Sequence, residues 1–116
     1  MKNIAFSLTT KQMYDGIKDV TRRLGWRDLQ PGEHLMAVEK GMGLKTGEKV
    51  KPIGEIRVVK VTREPLKDIS IAEIVREGFP DMTIRQFIIM FCKSHKCEPE
   101  IIVTRIEFER LYPASR

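Results

Sequence analysis

The sequence predicts an α+β domain, or a small barrel with helices set beside it, made of five or six mostly non-parallel strands and two or three short helices. Three observations carry this. Segments that alternate apolar and polar residues with a period of two recur along the chain, and only one segment holds a long helical period. Strand-helix units alternate too rarely for a doubly wound parallel sheet. With 116 residues, 41% of them hydrophobic, the chain fits one domain spanning residues 1–116 and can bury one core without disulfide or metal staples.

Ile4, Phe6 and Leu8 share one face of residues 3–8, which are expected as the first strand. Thr9 or Thr10 can cap a short helix that carries Met13 and Ile17 one turn apart and ends at Gly16. Residues 19–24 follow as a second strand. Gln30-Pro31-Gly32-Glu33 reads as a turn, because proline presets its first corner and glycine accepts the positive φ of the next. Residues 34–39 form a third strand, and the Gly- and Lys-rich residues 40–54 a basic loop.

Residues 55–63 are strongly β-branched, but their apolar face switches from Ile56 and Val58 to Val59 and Val61. Either a bulge or burial of both faces is implied. After Pro65, residues 69–75 make a short helix with Ser70 as cap and Glu73 placed for a capping box, closed by Gly78. Thr83 opens the clearest helix: Ile84, Phe87, Ile88 and Phe91 form one stripe, while Arg85, Gln86 and Lys93 face away. Residues 101–109 close the sheet, with Ile102, Thr104, Ile106 and Phe108 on one face and Arg105, Glu107 and Glu109 on the other. The tail from Pro113 is expected to fray.

A formal charge of +5 and a pI near 9.4 favour a polyanionic partner. Two cysteines are too few for a secreted disulfide scaffold, and residues 1–6 lack the apolar core of a signal peptide, so a cytoplasmic location is expected. The longest apolar run, residues 87–92, falls far short of the roughly 20 residues of a membrane span, so no membrane partner is expected. Cys92, His95 and Cys97 lack the paired spacing and fourth ligand of a zinc site. No metal and no cofactor are expected, and no carboxylate cluster suggests magnesium.

Candidate site residues concentrate in residues 16–27, which gather Lys18, Thr21, Arg22, Arg23, Arg27 and the single tryptophan, Trp26, between Gly16 and Gly25. The glycines can let a ligand approach the backbone closely. Trp26 among these arginines suits either a base-stacking platform or a lid on the core. Lys45 and its neighbours add cations from the loop, whether as ligand contacts or as solvated charges.

The motif Gly16-x-Lys18-x-x-Thr21-x-Arg23, followed by Pro31-Gly32-Glu33, Ile56-Arg57-Val58, Glu77-Gly78-Phe79 and Thr104-Arg105-Ile106-Glu107-Phe108, resembles an ASCH domain of the PUA-like superfamily over nearly the whole chain. It resembles small phage and bacterial ASCH proteins with a Met-Thr-x-x-x-Phe helix. The resemblance implies a PUA-like β-barrel whose signature strand lines a cleft for RNA or a modified nucleoside. One ASCH branch, similar over Lys-x-x-Thr-x-Arg, hydrolyses the acetyl amide of acetylcytidine with a lysine, a threonine and a later glutamate. Lys18 and Thr21 match it, and Glu77 is the nearest glutamate, offset by a few positions. Other ASCH proteins are RNA binders or ribonucleases, which keeps a non-catalytic RNA-binding module as the alternative.

In that reading Thr21 is a nucleophile, Lys18 its base, Glu77 a general acid or leaving-group anchor, and Arg23 an orienting cation. Lys18 and Thr21 are an odd number of positions apart and would face opposite ways on one strand. Lys18 must therefore lie on the turn ahead of the strand and reach the Thr21 hydroxyl. The plain alternative makes Thr21 a strand former, Lys18 a solvated turn charge and Glu77 a surface residue.

Overall fold

The computed structural model describes residues 1–41, 44 and 46–114. Among these residues five strands form one sheet: β1 (Lys2–Ala5), β2 (Val20–Arg23), β3 (His34–Val38), β4 (Pro52–Pro65) and β5 (Ile102–Arg110), in the spatial order β1-β3-β4-β5-β2. β1 runs parallel to β3, and every other neighbouring pair is antiparallel. The described residues also form three helices, α1 (Thr10–Asp15), α2 (Ile71–Arg76) and α3 (Ile84–His95), with a 3-10 turn at Leu66–Asp68. The α+β class and the element count agree with the sequence reading.

The central hairpin is β4 with β5, paired from Ile56↔Arg110 to Pro65↔Ile102. Its register slips between Val58 and Lys60, so Val59 is the extra residue of a bulge and faces solvent. That resolves the face switch seen in the sequence. Beyond the bulge Val61 turns back toward the core. β4 starts at Pro52, so the expected loop ends earlier than residue 54.

Two apolar clusters stabilise the sheet. One lies within its curve, around Ile4, Phe6, Met13, Leu35, Ile56, Val58, Ile106 and Phe108. The other joins it to the helices through Leu66, Ile69, Ile74, Phe87, Phe91 and Val103. β5 contributes to both, which explains why Val103, Thr104, Arg105 and Ile106 are all buried and why simple alternation mispredicts Arg105. Ile102, expected inward, lies at the strand start and is exposed.

Several local expectations need correction. β1 stops at Ala5, because the chain turns into α1; Leu8 is 59% exposed rather than part of a strand face. Thr9 occupies the cap position of α1 without a side-chain cap bond, and the Thr10 hydroxyl donates instead to the Phe6 carbonyl at 2.7 Å. Gly16 ends that helix in the left-handed region, φ 74°, so Ile17 leaves the helical stripe and is exposed. Ser70 caps α2 by accepting from the Glu73 amide, but the Glu73 carboxylate goes to arginines and not back to the cap. The full capping box forms at α3, where Thr83 and Gln86 bond reciprocally. Residues 115–116 of the tail lie outside the described residues.

Candidate functional site

A cavity of about 390 Å³ opens where the link from β1 to α1, the start of β2, the end of α2 and one side of α3 meet. It falls in the size range of small-molecule sites. Lys18, Thr21, Arg22, Arg23 and Glu77 line its polar side, and Phe6, Leu8, Phe79, Phe87, Met90 and Phe91 its apolar side. Ser94 and His95 close it at the end of α3.

Lys18 lies in the link between α1 and β2, not on the strand, which frees it from the strand's alternation. The link is pinned where the Asp19 amide donates to the Arg76 carbonyl and the Ile17 amide to Gln12. The buried Lys18 ammonium donates to the Glu77 carbonyl at 2.7 Å and to its carboxylate Oε1 at 2.9 Å. Burial pushes the Lys18 pKa down, and the Glu77 charge pulls part of the way back. Arg22 Nη1 donates to the other carboxylate oxygen at 3.0 Å. Glu77 is therefore no surface residue; it is a buried anion held between two buried cations.

Local geometry delivers Glu77 to this position. It is the C-cap of α2, and the following Gly78 adopts φ 103°, swinging the chain away. At this φ any side chain is strained, and a Cβ at Gly78 would also sit 2.9 Å from the Gln12 side chain, so the position favours glycine.

Thr21 is buried at the same cavity, and its hydroxyl oxygen accepts from Arg23 Nε at 3.1 Å. Arg23 Nη2 donates to the Ala5 carbonyl at 2.6 Å, and the guanidinium lies over the Phe6 ring, 4.8 Å from its centre. Burial lowers its pKa to about 10, which leaves it charged at neutral pH. The direct hydrogen bond expected between Lys18 and Thr21 is not formed: among the described residues, the ammonium bonds Glu77 and the hydroxyl accepts from Arg23.

Arg22 lines the cavity, yet its guanidinium turns to carboxylates, reaching Glu73 at 2.8 Å and Glu64 at 3.4 Å besides Glu77. Its Nε is the one buried side-chain nitrogen or oxygen among the described residues that has no partner. Arg22 sits directly across from Arg105 in the β2/β5 pairing, and Glu73 bridges both guanidinium groups. Hydrogen bonds from Arg105, reinforced by Arg22, hold the Glu73 pKa down to about 2. Like charges opposed across a ladder would destabilise it without this carboxylate.

The other candidates lie elsewhere. Gly16 packs against the Arg110 guanidinium and Ala114. Trp26 and Arg27 belong to a separate hollow with Lys2, Leu24, Asp28, Leu29 and Glu33. Trp26 has φ 56°, following Gly25 at 79°, and this left-handed pair rolls the indole onto the core. Lys45 lies outside the described residues. The sequence reading missed Glu73 and Arg105, hidden because the strand pattern sent Arg105 outward. It also missed the aromatic wall and His95, although Phe87, Phe91 and His95 recur at a spacing of four. No group of three or more His, Cys, Asp or Glu residues placed to hold a metal ion occurs among the described residues.

No protein-family model matches the sequence, and no curated protein matches it either. Solved structures do. An ASCH domain from Lactobacillus crispatus superposes with a TM-score of 0.59 at 15% identity, covering 97% of this chain and 81% of that one. The chain has the ASCH fold. Protein EF3133 of Enterococcus faecalis, described with the family model DUF984, gives a TM-score of 0.66 at 15% identity over 100% of this chain and 85% of its own. The hypothetical protein PH0355 gives 0.67 at 18% identity, over 96% and 100%. At such identities the ASCH likeness is one of fold. Among the described residues, no helix is long and apolar enough to cross a membrane.

Proposed function

We propose that the cavity binds a modified nucleoside, free or within RNA, and hydrolyses an acyl amide on its base. The observation that carries this reading is the convergence of a buried Lys18–Glu77 pair, the Thr21 hydroxyl and Arg23 on one cavity with aromatic walls. A flat base suits the Phe79 and Phe87 side. The ASCH fold and the basic net charge favour a nucleic-acid ligand.

Two Lys18 hydrogens point to Glu77, so the remaining position on nitrogen is a third hydrogen in the ammonium or a lone pair in the free amine. Burial makes loss of the Lys18 proton easier, and in the free-amine form Lys18 can take the Thr21 proton. The Thr21 oxygen attacks the acyl carbonyl carbon, the carbon–nitrogen bond breaks, and Lys18 returns the proton to the departing exocyclic nitrogen. Water then cleaves the threonine ester, so amide plus water yields amine plus carboxylic acid. Arg23, already bonded to the Thr21 oxygen, stabilises negative charge there as attack begins. Glu77 keeps Lys18 in place throughout.

Incubating the protein with acetylcytidine should release cytidine and acetate, resolved by chromatography. Thr21→Ala should lower the rate at least about 100-fold with little change in affinity, the behaviour of a removed nucleophile. No turnover at high enzyme concentration would end the hydrolase reading. The net charge of +5 supports a second reading, a non-catalytic RNA-binding module. It requires RNA binding that weakens steeply with salt.

A further inference from the structure

We infer that His95 is a ligand-contacting residue of the cavity, accepting a hydrogen bond at Nε2 from the exocyclic N–H of the base. This deepens the nucleoside reading and rests on it. Three observations carry the assignment.

The first is tautomer. His95 Nδ1 lies 3.1 Å from the Phe91 carbonyl one helical turn back. A carbonyl oxygen only accepts, so Nδ1 carries the hydrogen in this contact. In the neutral ring Nε2 is then left as a lone-pair acceptor, the reverse of a histidine that offers an N–H there.

The second is rigidity. The imidazole stacks on the Phe91 ring with centroids 4.0 Å apart and planes inclined by 18°. Phe91 is itself buried and stacked on Phe87. The ring is thus fixed on both an edge and a face before any ligand arrives, which reduces the ordering cost of using it.

The third is place. His95 lines the same cavity as Lys18, Thr21 and Arg23, on the helix side where the other walls are Phe87, Met90 and Phe91. Thr21 has its oxygen bonded to a donor, and Arg23 and Lys18 are themselves donors, so the strand side is rich in N–H groups. An acylated exocyclic nitrogen carries one N–H, which needs an acceptor, and His95 Nε2 supplies one. The same N–H persists on the amine product, so the contact serves both.

The test is nitrogen NMR on the intact protein, which has two histidines. His34 lies on β3 and pairs with Glu55, so it serves as the internal control. Long-range proton–nitrogen spectra should show His95 in the Nδ1–H tautomer. Adding cytidine should move its Nε2 resonance and leave those of His34 in place. If Thr21 and Arg23 amides shift while both His95 nitrogens stay still, the cavity binds nucleoside and the role of His95 is wrong. If no resonance moves, the nucleoside reading fails and this inference falls with it. His95→Phe keeps a ring on Phe91 but removes the acceptor, and should weaken cytidine binding about three- to tenfold, whereas His95→Gln should recover most of it. Unchanged affinity in a folded His95→Phe protein overturns the assignment. Should that variant fail to fold, the spectra of the unaltered protein still decide.

Discussion

Replacing Glu77 with glutamine separates a buried ion cluster from ordinary surface charge. The change keeps shape and deletes one negative charge held between Lys18 and Arg22, whose side chains are 2% and 1% exposed. Removing one partner of a buried pair costs about 3–5 kcal/mol. The lower end applies here: Arg22 keeps Glu73, and Lys18 keeps the Glu77 carbonyl. A limit comes from Lys18 itself, which can shed its proton. At pH 7 neutralising a lysine of ordinary pKa about 10.4 costs about 4–5 kcal/mol, so the penalty cannot grow beyond that. About 3 kcal/mol is a large share of the 5–15 kcal/mol that stabilises a typical domain, and corresponds to a melting point lower by about 10–15 °C.

The pH dependence supplies the sharper check. Without the Glu77 charge, burial acts on Lys18 with less opposition, so its folded pKa falls further below the unfolded value. Between those two values the unfolded chain binds a proton that the folded one does not, and stability rises with pH. Urea unfolding at pH 7 and pH 9.5 should show the deficit of Glu77→Gln shrinking at the higher pH. Adding Lys18→Met should recover part of the loss at pH 7, because the stranded cation is gone. A deficit below about 1 kcal/mol, or one equal at both pH values, would refute the buried-pair argument.

Three further outcomes are expected. Glu73 has a folded pKa of about 2 against an ordinary value near 4.5, so its contribution is present above that ordinary value and is lost as pH falls toward 2. Allowing for its partial exposure this is about 1–2 kcal/mol, and urea unfolding of Glu73→Gln should lack that acid-dependent loss. Gly78→Ala places a Cβ against Gln12 at φ 103° and should cost about 1–3 kcal/mol in a thermal melt. Trp26 lies in the separate hollow, so its fluorescence should stay unchanged when cytidine fills the cavity; a strong response would return it to the ligand site.

The architecture was legible wherever one residue pattern had one physical cause. Phe87 and Phe91 marked the buried side of α3, and Thr83 marked its start. The switch at Val59 signalled a bulge or burial of both faces, and the strand pairing shows the bulge. What escaped depended on long-range pairing. Arg105 reads as an outward residue by alternation, and only the approach of α2 to the β2/β5 ladder gives it Glu73 and lets it be buried. The resemblance offered Glu77 as the site glutamate against the plain alternative of a helix-end surface charge, and the partners that bury it lie 59 and 55 positions away. Trp26 looked like part of the arginine cluster, but two successive left-handed residues turn it away, a conformation a bulky residue rarely betrays in sequence. The motif thus named Lys18, Thr21 and Arg23 without their mutual geometry.

The cavity has a structural cause that explains why those residues meet. The sheet begins with β1 and ends with β2, and these two edges do not pair with each other. An edge carbonyl at such a gap has no strand partner and takes another donor. Arg23 supplies it at Ala5 while its Nε holds Thr21, so one guanidinium spans the opening and fixes the hydroxyl beside it. α3 covers the gap with aromatic rings instead of a sixth strand, and the space left between helix and edges is the cavity. The polar residues of the motif are therefore concentrated where the barrel fails to close, which is where the proposed planar ligand would enter without breaking a backbone ladder.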